Sequence, residues 1–332
     1  MHYKCIIIHL LALKLSLESG LVMKPKVYID GSSGTTGLQI YDRLGTRSDI
    51  ELLKIAPELH RDVAERKRLI NEADLVFLCL PDDAAREAVT LIENPNTRVI
   101  DASTAHRTNP DWDYGFPELS YDHRESIIHS KRVANPGCHA SGFISIAYPL
   151  VKLGIVNADT PLTAWSLTGY SGGGKKMIAQ YEAEDRDVEF DAPRQYGLNG
   201  NHKHLPEMQK VCGLKYKPVF NPIVDDYYKG MEVGIPLHKV QVNGFTAENI
   251  KDMLFEYYRN STFVEVDPEL GTEGLLSANK YAGTNTLCIT VCGNDDRITI
   301  TSRFDNLGKG ASGAAVQNMN LMLGFAETAG LK

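Results

Sequence analysis

The stretch KVYIDGSSGTTGLQI, residues 26–40, constrains the fold more than any other, because a short apolar run passes through spaced glycines into an amphipathic pattern. Gly31, Gly34 and Gly37 have the spacing GxxGxxG, which differs from the common GxGxxG fingerprint of dinucleotide-binding loops. Residues without Cβ let the backbone approach a phosphate, and a helix N-terminus favours negative charge. The pattern predicts a strand, a phosphate-binding loop and a helix, with an ordinary glycine-rich turn as the alternative. The candidate phosphate contacts are Gly31, Ser32, Ser33, Gly34, Thr35, Thr36 and Gly37.

Strand-like and helical patterns alternate from residue 26 to about residue 103. DLVFLCL (74–80) is a continuous apolar run, typical of a parallel strand that is buried on both faces. The second half has longer alternating runs, and the GNDD within residues 285–304 predicts the turn of an antiparallel hairpin. The sequence therefore predicts an α/β fold, in which a domain with a parallel sheet is followed by an α+β domain with a mostly antiparallel sheet.

The composition excludes some classes of partner. The formal net charge is -7 and no basic block interrupts the chain, which argues against nucleic acid. The six cysteines show no CxxC spacing, and this indicates free thiols in a reducing cytoplasm rather than a disulfide framework.

Residues 1–22 superficially resemble a signal sequence, with a basic start and an apolar stretch. His9 and Lys14 interrupt that stretch, which is too short and too polar to span a bilayer. Met23 then opens a run that is typical of the start of a first strand. We therefore expect residues 1–22 to be a disordered extension or the product of an upstream start codon, with an export signal as the alternative, and we expect no membrane contact.

The residues after the second predicted strand bear on the choice of cofactor. An acidic residue there would hold a ribose 2′-hydroxyl, whereas a basic residue accommodates a 2′-phosphate. KIAPELHRD (54–62) offers both Glu58 and Arg61. Arg61 favours NADP and Glu58 opposes it; alternatively, both charges lie on a solvated surface.

Cys138 is the strongest candidate nucleophile among the cysteines. It follows Asn-Pro-Gly and precedes an apolar run, so we expect it in the first turn of a helix over residues 138–153. The free amides and the dipole at a helix start stabilise a thiolate, which predicts a lowered thiol pKa. The alternative is that Cys138 is a small hydrophobic residue at the start of a core helix.

NHKHLPE (201–207) carries His202 and His204 two residues apart, followed by Glu207. In an extended segment both imidazoles would lie on one side. A histidine near a thiolate can shuttle protons at neutral pH, with a carboxylate orienting it. Zinc ligation by H-x-H-x-x-E and purely structural histidines are the alternatives.

Six motifs, in this order, resemble the short-form class of N-acetyl-gamma-glutamyl-phosphate reductases, the arginine-biosynthesis members of the semialdehyde dehydrogenase family. The motifs are IDGSSGTTGLQI, CLPDDAAREAV, IDASTAHRT, NPGCHASG, NHKHLPE and NLGKGASGAAVQNMNLMLG. The resemblance covers nearly everything from Met23 to the C-terminus and leaves residues 1–22 outside. It implies a Rossmann-like NADP-binding domain of residues 23–137 and 307–332, and a catalytic and oligomerisation domain of residues 138–306.

The resemblance also implies roles for individual residues. Cys138 matches the family's nucleophile, and His202 matches the usual acid/base candidate. The remaining matches to the active site are Tyr196, His204 and Glu207. The residues that would border NADP(H) are Ser103, Gly172, Gly173 and Asn306. His139 stands where the longer-form enzymes usually carry tyrosine. Arg107 and Arg194 are candidate partners for a carboxylate or phosphate of the substrate.

The reaction implied by the resemblance is the NADPH-dependent reduction of N-acetyl-gamma-glutamyl phosphate to N-acetylglutamate 5-semialdehyde, with release of phosphate, through a thioester on Cys138. The partner is then a small acyl phosphate, and we expect a cytoplasmic homodimer or homotetramer without a metal. The alternatives are an enzyme like aspartate-semialdehyde dehydrogenase, a non-catalytic dinucleotide-binding sensor, and a Cys-His acyl hydrolase.

Overall fold

The chain folds around two β-sheets, which the computed structural model describes over residues 23–32, 34–267, 271 and 273–332. The predicted extension of residues 1–22 and the candidate phosphate contact Ser33 lie outside the described residues, and so does the side chain of Thr35. Within the described residues, no helix has the length and apolar character needed to cross a membrane.

The first sheet is built from six short strands near the start of the chain. They are β1 (Lys26–Asp30), β2 (Glu51–Leu53), β3 (Leu75–Leu78), β4 (Arg98–Asp101), β5 (Asp113–Tyr114) and β6 (Arg132–Ala134). Their order is β2-β1-β3-β4-β6-β5, and every neighbouring pair is parallel. β3 is buried along its whole length, as its continuous apolar sequence predicts. The predicted parallel sheet is confirmed.

The second sheet contains seven strands, five of which are seven or eight residues long, and it is mostly antiparallel. They are β7 (Thr163–Gly169), β8 (Arg194–Gln195), β9 (Val219–Asp225), β10 (Met231–His238), β11 (Val264–Val266), β12 (Leu287–Asn294) and β13 (Arg297–Phe304), in the order β11-β12-β13-β10-β7-β9-β8. β12 and β13 form the predicted hairpin, with Asn294 paired to Arg297 across the turn. The pairs β11–β12 and β7–β9 are parallel. The predicted fold class is therefore confirmed.

Nine α-helices are found in the described residues. They are α1 (Thr35–Leu44), α2 (Val63–Glu72), α3 (Asp82–Thr90), α4 (Tyr121–His129), α5 (Cys138–Lys152), α6 (Gly174–Tyr181), α7 (Leu205–Val211), α8 (Ala247–Tyr258) and α9 (Gly313–Leu323). α2 begins at a side-chain cap, because the Asp62 carboxylate accepts a hydrogen bond of 2.8 Å from the Glu65 amide.

The last helix of the chain packs into the core of the first sheet. Ala315, Val316 and Met319 of α9 share one apolar cluster with Val27 and Ile29 of β1. The polypeptide therefore crosses into the second sheet and returns, and residues from both ends of the described chain complete the first core.

α5 is the helix that connects the two halves at the candidate nucleophile. It starts four residues after the end of β6 and is apolar on nearly all sides, so it is buried over most of its length. Gly142 lets it approach the second sheet, because a Cβ there would overlap the side chain of Val233 on β10. This packing fixes the position of Cys138, the first residue of α5.

Candidate active site

A cavity of about 360 Å³ lies where the loops that follow β4, β6, β7 and β13 meet the turn before α7. It brings together nine of the residues singled out from the sequence, which are Thr36, Arg107, Cys138, Gly172, Gly173, Tyr196, His202, His204 and Asn306. These residues are separated by up to 270 positions in the chain. The cavity is therefore a candidate active site, since such sites gather polar groups from many elements in one concave place.

Cys138 occupies the first helical position of α5, as predicted. Gly137 is the N-cap residue and supplies no side-chain cap. However, the predicted lowering of the thiol pKa is wrong: burial raises the pKa of Cys138, and the backbone amide of His139 and the positive charge of Arg107 offset this only in part. The thiol is therefore protonated at neutral pH, and a base in the cavity must take its proton before it can act as a nucleophile.

Gly137 allows an unusually close approach between three parts of the site. A Cβ at this position would overlap both Arg107 Nη1 and the imidazole of His204. The turn before Cys138 therefore packs directly against a guanidinium and an imidazole. Position 137 has no room for any side chain.

A buried ion pair holds that turn in place. Arg107 Nη1 donates to Glu207 Oε1 at 2.7 Å, while Glu207 Oε2 accepts hydrogen bonds from Tyr114 Oη at 2.9 Å and from the Gly137 amide at 3.2 Å. Arg107 also donates to the carbonyl oxygens of Asn135 and Ala102. Glu207 was predicted to orient a histidine, yet its hydrogen bonds join it to Arg107 and to the backbone just before Cys138.

Tyr114 is a contributor to the site that the sequence did not reveal. It lies on β5, the edge strand of the first sheet, and no motif marks it. Its hydrogen bond to Glu207 joins residues 93 positions apart. Only the three-dimensional fold could have identified it.

His202 and His204 lie together and line the same cavity as Cys138, but not on an extended segment as predicted. The chain turns there, and His204 is the N-cap residue of α7 with helical backbone angles. The two rings still meet, nearly perpendicular and with centroids 4.7 Å apart. Burial lowers the pKa of His202 to about 4 and that of His204 well below its ordinary value. Both imidazoles are therefore neutral at pH 7 and can accept a proton.

The low pKa of His202 predicts a loss of stability in acid. The unfolded chain takes up a proton at this residue below about pH 6.5, whereas the folded chain does so only near pH 4. Stability is therefore lost as the pH falls from about 6.5 to about 4, by at most about 1.4 kcal/mol per pH unit for one proton. We expect urea unfolding of His202→Gln to depend less steeply on pH in this window than unfolding of the wild type. Equal slopes would show that His202 titrates normally in the folded state.

His139 forms a second polar cluster at the cavity. Its Nδ1 lies 2.8 Å from Ser166 Oγ, and its Nε2 lies 2.6 Å from the hydroxyl of Tyr196. The ring also contacts both His202 and His204, at centroid distances of 5.0 and 5.6 Å. The sequence marked His139 only as a departure from the longer-form enzymes, and it gave no signal for Ser166.

The glycine-rich segment has two positions that leave no room for a side chain. Gly31 has φ +89° and a Cβ there would overlap the carbonyl oxygen of Cys79, while a Cβ at Gly37 would overlap the carbonyl oxygen of Gly31. Gly34 is the N-cap of α1 and makes no side-chain cap, so the first amides of α1 are available to an anion. Thr36 in that first turn lines the cavity. This cradle fits the pyrophosphate of a dinucleotide.

Several predicted site residues do not line the cavity, among them Glu207, the three glycines of the glycine-rich segment, and Arg61, Ser103 and Arg194. Arg61 is exposed just before α2. Ser103 is buried, and its hydroxyl donates to Asp101 at 2.7 Å. The guanidinium of Arg194 lies over the ring of Phe190 at 4.2 Å and borders a smaller neighbouring pocket that it shares with Tyr196.

Asn306 lines the cavity beside Gly172 and Gly173. It accepts a hydrogen bond from the Gly230 amide and donates to Ser171 Oγ at 3.1 Å. A Cβ at Gly172 would come within 3.2 Å of Asn306 Nδ2. Among the described residues, no group of three or more histidine, cysteine or acidic side chains is arranged to hold a metal ion.

Family models match most of the chain. Residues 26–127 match the NAD binding domain of semialdehyde dehydrogenases, and residues 138–306 match the semialdehyde dehydrogenase dimerisation domain. Two similar proteins are the N-acetyl-gamma-glutamyl-phosphate reductases 2 of Nostoc sp. and of Pseudomonas putida. The first is 46% identical over 93% of this chain and 99% of its own length, and the second is 45% identical over 92% and 99%.

Solved structures with the same fold are more distant in sequence. An aspartate semialdehyde dehydrogenase II from Vibrio cholerae, complexed with ASA, has a TM-score of 0.68 at 16% identity and covers 91% of this chain and 98% of its own. An aspartate semialdehyde dehydrogenase from Candida albicans, solved with NADP, has a TM-score of 0.64 at 15% identity, with coverage of 91% and 99%. At these identities the likeness concerns the fold alone.

Proposed function

The chain belongs to the semialdehyde dehydrogenase family, in its group of N-acetyl-gamma-glutamyl-phosphate reductases, and we propose that it reduces N-acetyl-gamma-glutamyl phosphate to N-acetylglutamate 5-semialdehyde with NADPH. The observation that carries this proposal is the meeting of Cys138 with neutral His202 and His204 in one cavity. A thiol beside a neutral imidazole is the arrangement that acyl transfer through a thioester requires.

Cys138 begins the reaction as a protonated thiol. One of the two neutral imidazoles takes the thiol proton while the sulfur attacks the carbonyl carbon of the acyl phosphate. The C–O bond to phosphate then breaks, inorganic phosphate leaves, and a thioester to Cys138 remains. The free amides at the start of α5 are placed to stabilise the oxyanion of the tetrahedral intermediate.

The second half of the reaction restores the thiol. NADPH, when bound, supplies the hydride that reduces the thioester carbon. The imidazolium returns its proton as the C–S bond of the resulting thiohemiacetal breaks, so that the aldehyde leaves and Cys138 is again a thiol. Arg107 and Arg194 remain candidates for holding the charged groups of the substrate. Arg107 lines the cavity, although three of its N–H groups already bond within the protein.

We propose that NADP(H) binds beside Cys138. The first amides of α1 with Gly34 and Thr36 would hold the pyrophosphate, and Arg61 would approach the 2′-phosphate. Gly172, Gly173, Asn306 and Ser103 would border the nicotinamide half. We infer that residues 23–137 and 307–332 form the cofactor-binding unit and residues 138–306 the catalytic unit, since α9 shares its core with β1.

The test is an assay in the reverse direction. N-acetylglutamate semialdehyde should be oxidised with NADP only when phosphate or arsenate is present, because the thioester needs an oxyanion acceptor. Aspartate semialdehyde is the comparison substrate, and the proposal fails if the enzyme strictly prefers it. Turnover that does not require phosphate would equally rule out release of an acyl phosphate.

Replacing each histidine separately should identify the proton carrier. We expect His202→Asn to lower kcat by about a hundredfold or more while the KM for NADP stays nearly constant, because general acid–base catalysis contributes that much. His204→Asn, which changes the neighbouring ring 4.7 Å away, is the matched comparison. If only His204→Asn shows the loss, the assignment of the proton carrier must be reversed.

We also infer a cytoplasmic homodimer or homotetramer. The five cysteines among the described residues are free thiols, as suits a reducing compartment. Residues 138–306 match a dimerisation domain. Light scattering of the purified protein gives the subunit number, and a monomer at micromolar concentration would contradict this inference.

A further inference from the structure

His139 is a polar residue that lines the cavity and has no role in the reaction proposed above. It is the second residue of α5 and is 4% exposed, and both of its ring nitrogens have a partner. The two contacts form a row of hydrogen bonds from Ser166 through His139 to Tyr196. The first two members are buried, and Tyr196 lies in the wall of the cavity beside Cys138.

The hydroxyl of Ser166 needs a hydrogen-bond partner, and His139 supplies it. Ser166 is completely buried on β7, where its neighbours across the sheet are Val233 on β10 and Pro222 on β9. A buried hydroxyl without a hydrogen-bond partner destabilises the folded protein. The Nδ1 atom of His139, at 2.8 Å, is the group that satisfies it.

The hydroxyl of Tyr196, at the other end of this row, remains protonated. Burial and the nearby charge of an ionised Cys138 both raise the pKa of Tyr196, so its hydroxyl keeps its proton at neutral pH. That proton can point in two directions. It can be donated back to His139, or it can be turned towards the cavity.

The tautomer of His139 decides between these directions. Burial lowers the pKa of His139 well below its ordinary value, so the ring is neutral and carries a single N–H. If the proton is on Nδ1, Nε2 must accept the hydrogen of Tyr196. If the proton is on Nε2, Ser166 donates to Nδ1 and the ring donates to Tyr196, whose own hydrogen is then free to enter the cavity.

We propose that Ser166 and His139 are positioning residues that turn the hydroxyl proton of Tyr196 into the cavity, where Tyr196 donates it to the substrate or to the oxyanion formed at Cys138. This inference rests on the proposed reductase function. The substrate of that reaction presents carboxylate, carbonyl and phosphate oxygens, and the ionised sulfur is also an acceptor. A hydroxyl that faces these groups stabilises them only as a donor. Ser166 fits this arrangement because a hydroxyl can donate to Nδ1.

The first test reads the tautomer directly in the wild-type enzyme. In protein with 15N-labelled histidine, two-bond proton–nitrogen correlations distinguish N–H from bare nitrogen, and His139 is assigned by the signals lost in His139→Gln. We expect the proton on Nε2. A proton on Nδ1 overturns the proposal. This measurement needs no turnover, so it is decided separately from the reductase assay.

The second test asks whether Ser166 and His139 act through Tyr196. Ser166→Ala should lower kcat/KM for the acyl substrate three- to tenfold, the usual value of one hydrogen bond. In a Tyr196→Phe background the same substitution should have no further effect, because the hydroxyl that it orients is absent. The affinity for NADPH should not change in any of these variants. Losses that multiply in the double variant would overturn the proposal, since they would indicate a structural role.

A matched control separates this effect from general loss of packing. Ser145 lies on α5 and, like Ser166, is fully buried; it donates its hydroxyl to the Gly142 carbonyl at 2.8 Å and does not line the cavity. Ser145→Ala should keep the wild-type kcat/KM even if it lowers the melting temperature as much as Ser166→Ala does. If Ser145→Ala loses activity to the same extent, the effect of Ser166→Ala is not specific and the proposal fails.

Discussion

Cys138→Ala is expected to abolish phosphate-dependent oxidation of N-acetylglutamate semialdehyde, with a fall in kcat of at least roughly a thousandfold. Without the sulfur no thioester forms, and the remaining groups of the cavity have no acyl acceptor. NADPH binding should persist, because the cradle around Gly34 and Thr36 lies at the start of α1 and does not depend on this side chain. Fluorescence titration with NADPH and a steady-state assay measure the two quantities on the same sample.

Cys292→Ala is the matched control for this experiment. Cys292 is a half-buried cysteine on β12 and is not among the residues that line the cavity. Its replacement should leave kcat unchanged.

Because burial raises the pKa of Cys138, alkylation of the free enzyme should be slow at pH 7 and should accelerate as the pH rises. Appreciable turnover by Cys138→Ala would remove this residue from the mechanism.

Arg107→Met is expected to lower the free energy of unfolding by about 3–5 kcal/mol, the usual cost of removing one partner from a buried ion pair. The side chains of Arg107 and Glu207 are only 7% and 2% exposed, so the carboxylate left behind cannot be solvated. Tyr114 and the Gly137 amide would still donate to it, but no positive charge would balance it. Urea unfolding monitored by circular dichroism measures the loss.

Two further variants make the Arg107 experiment decisive. Arg107→Met with Glu207→Gln should recover part of the stability, because the uncompensated charge is then absent. The surface control is Arg68→Met, which removes the cation that pairs with Glu65 and Glu72 on α2. This variant should leave the melting temperature nearly unchanged. If Arg107→Met proves as mild as Arg68→Met, the pair at the nucleophile turn is not structural.

The sequence was most informative where structure is local. The glycine loop, the buried strand β3 and the β12–β13 hairpin each depend on a period or a turn that a few consecutive residues define. The start of α5 at Cys138 could be predicted for the same reason, since a Pro-Gly turn precedes an apolar helix. Local pattern therefore located the candidate nucleophile, and the helix that it begins, without any knowledge of the tertiary fold.

The sequence was least informative where the environment depends on tertiary contacts. The thiol pKa of Cys138 was predicted in the wrong direction, because the helix start is visible in the sequence but the covering side chains are not. Tyr114 and Ser166 reach the site from β5 and β7, through contacts between residues 93 and 27 positions apart. Such pairs depend on how strands and helices meet, which no single motif records.

The position of α9 has a consequence for how the protein is made. Its side chains complete the apolar cluster that contains Val27 and Ile29 of β1, which α1 covers only in part, so an interval separates the synthesis of β1 from the completion of this cluster. At usual rates of synthesis of about 5–20 residues per second, that interval lasts roughly 15–60 seconds. During translation the nascent amino-terminal half exposes an unfinished apolar face, and holding chaperones would have their main opportunity to bind there.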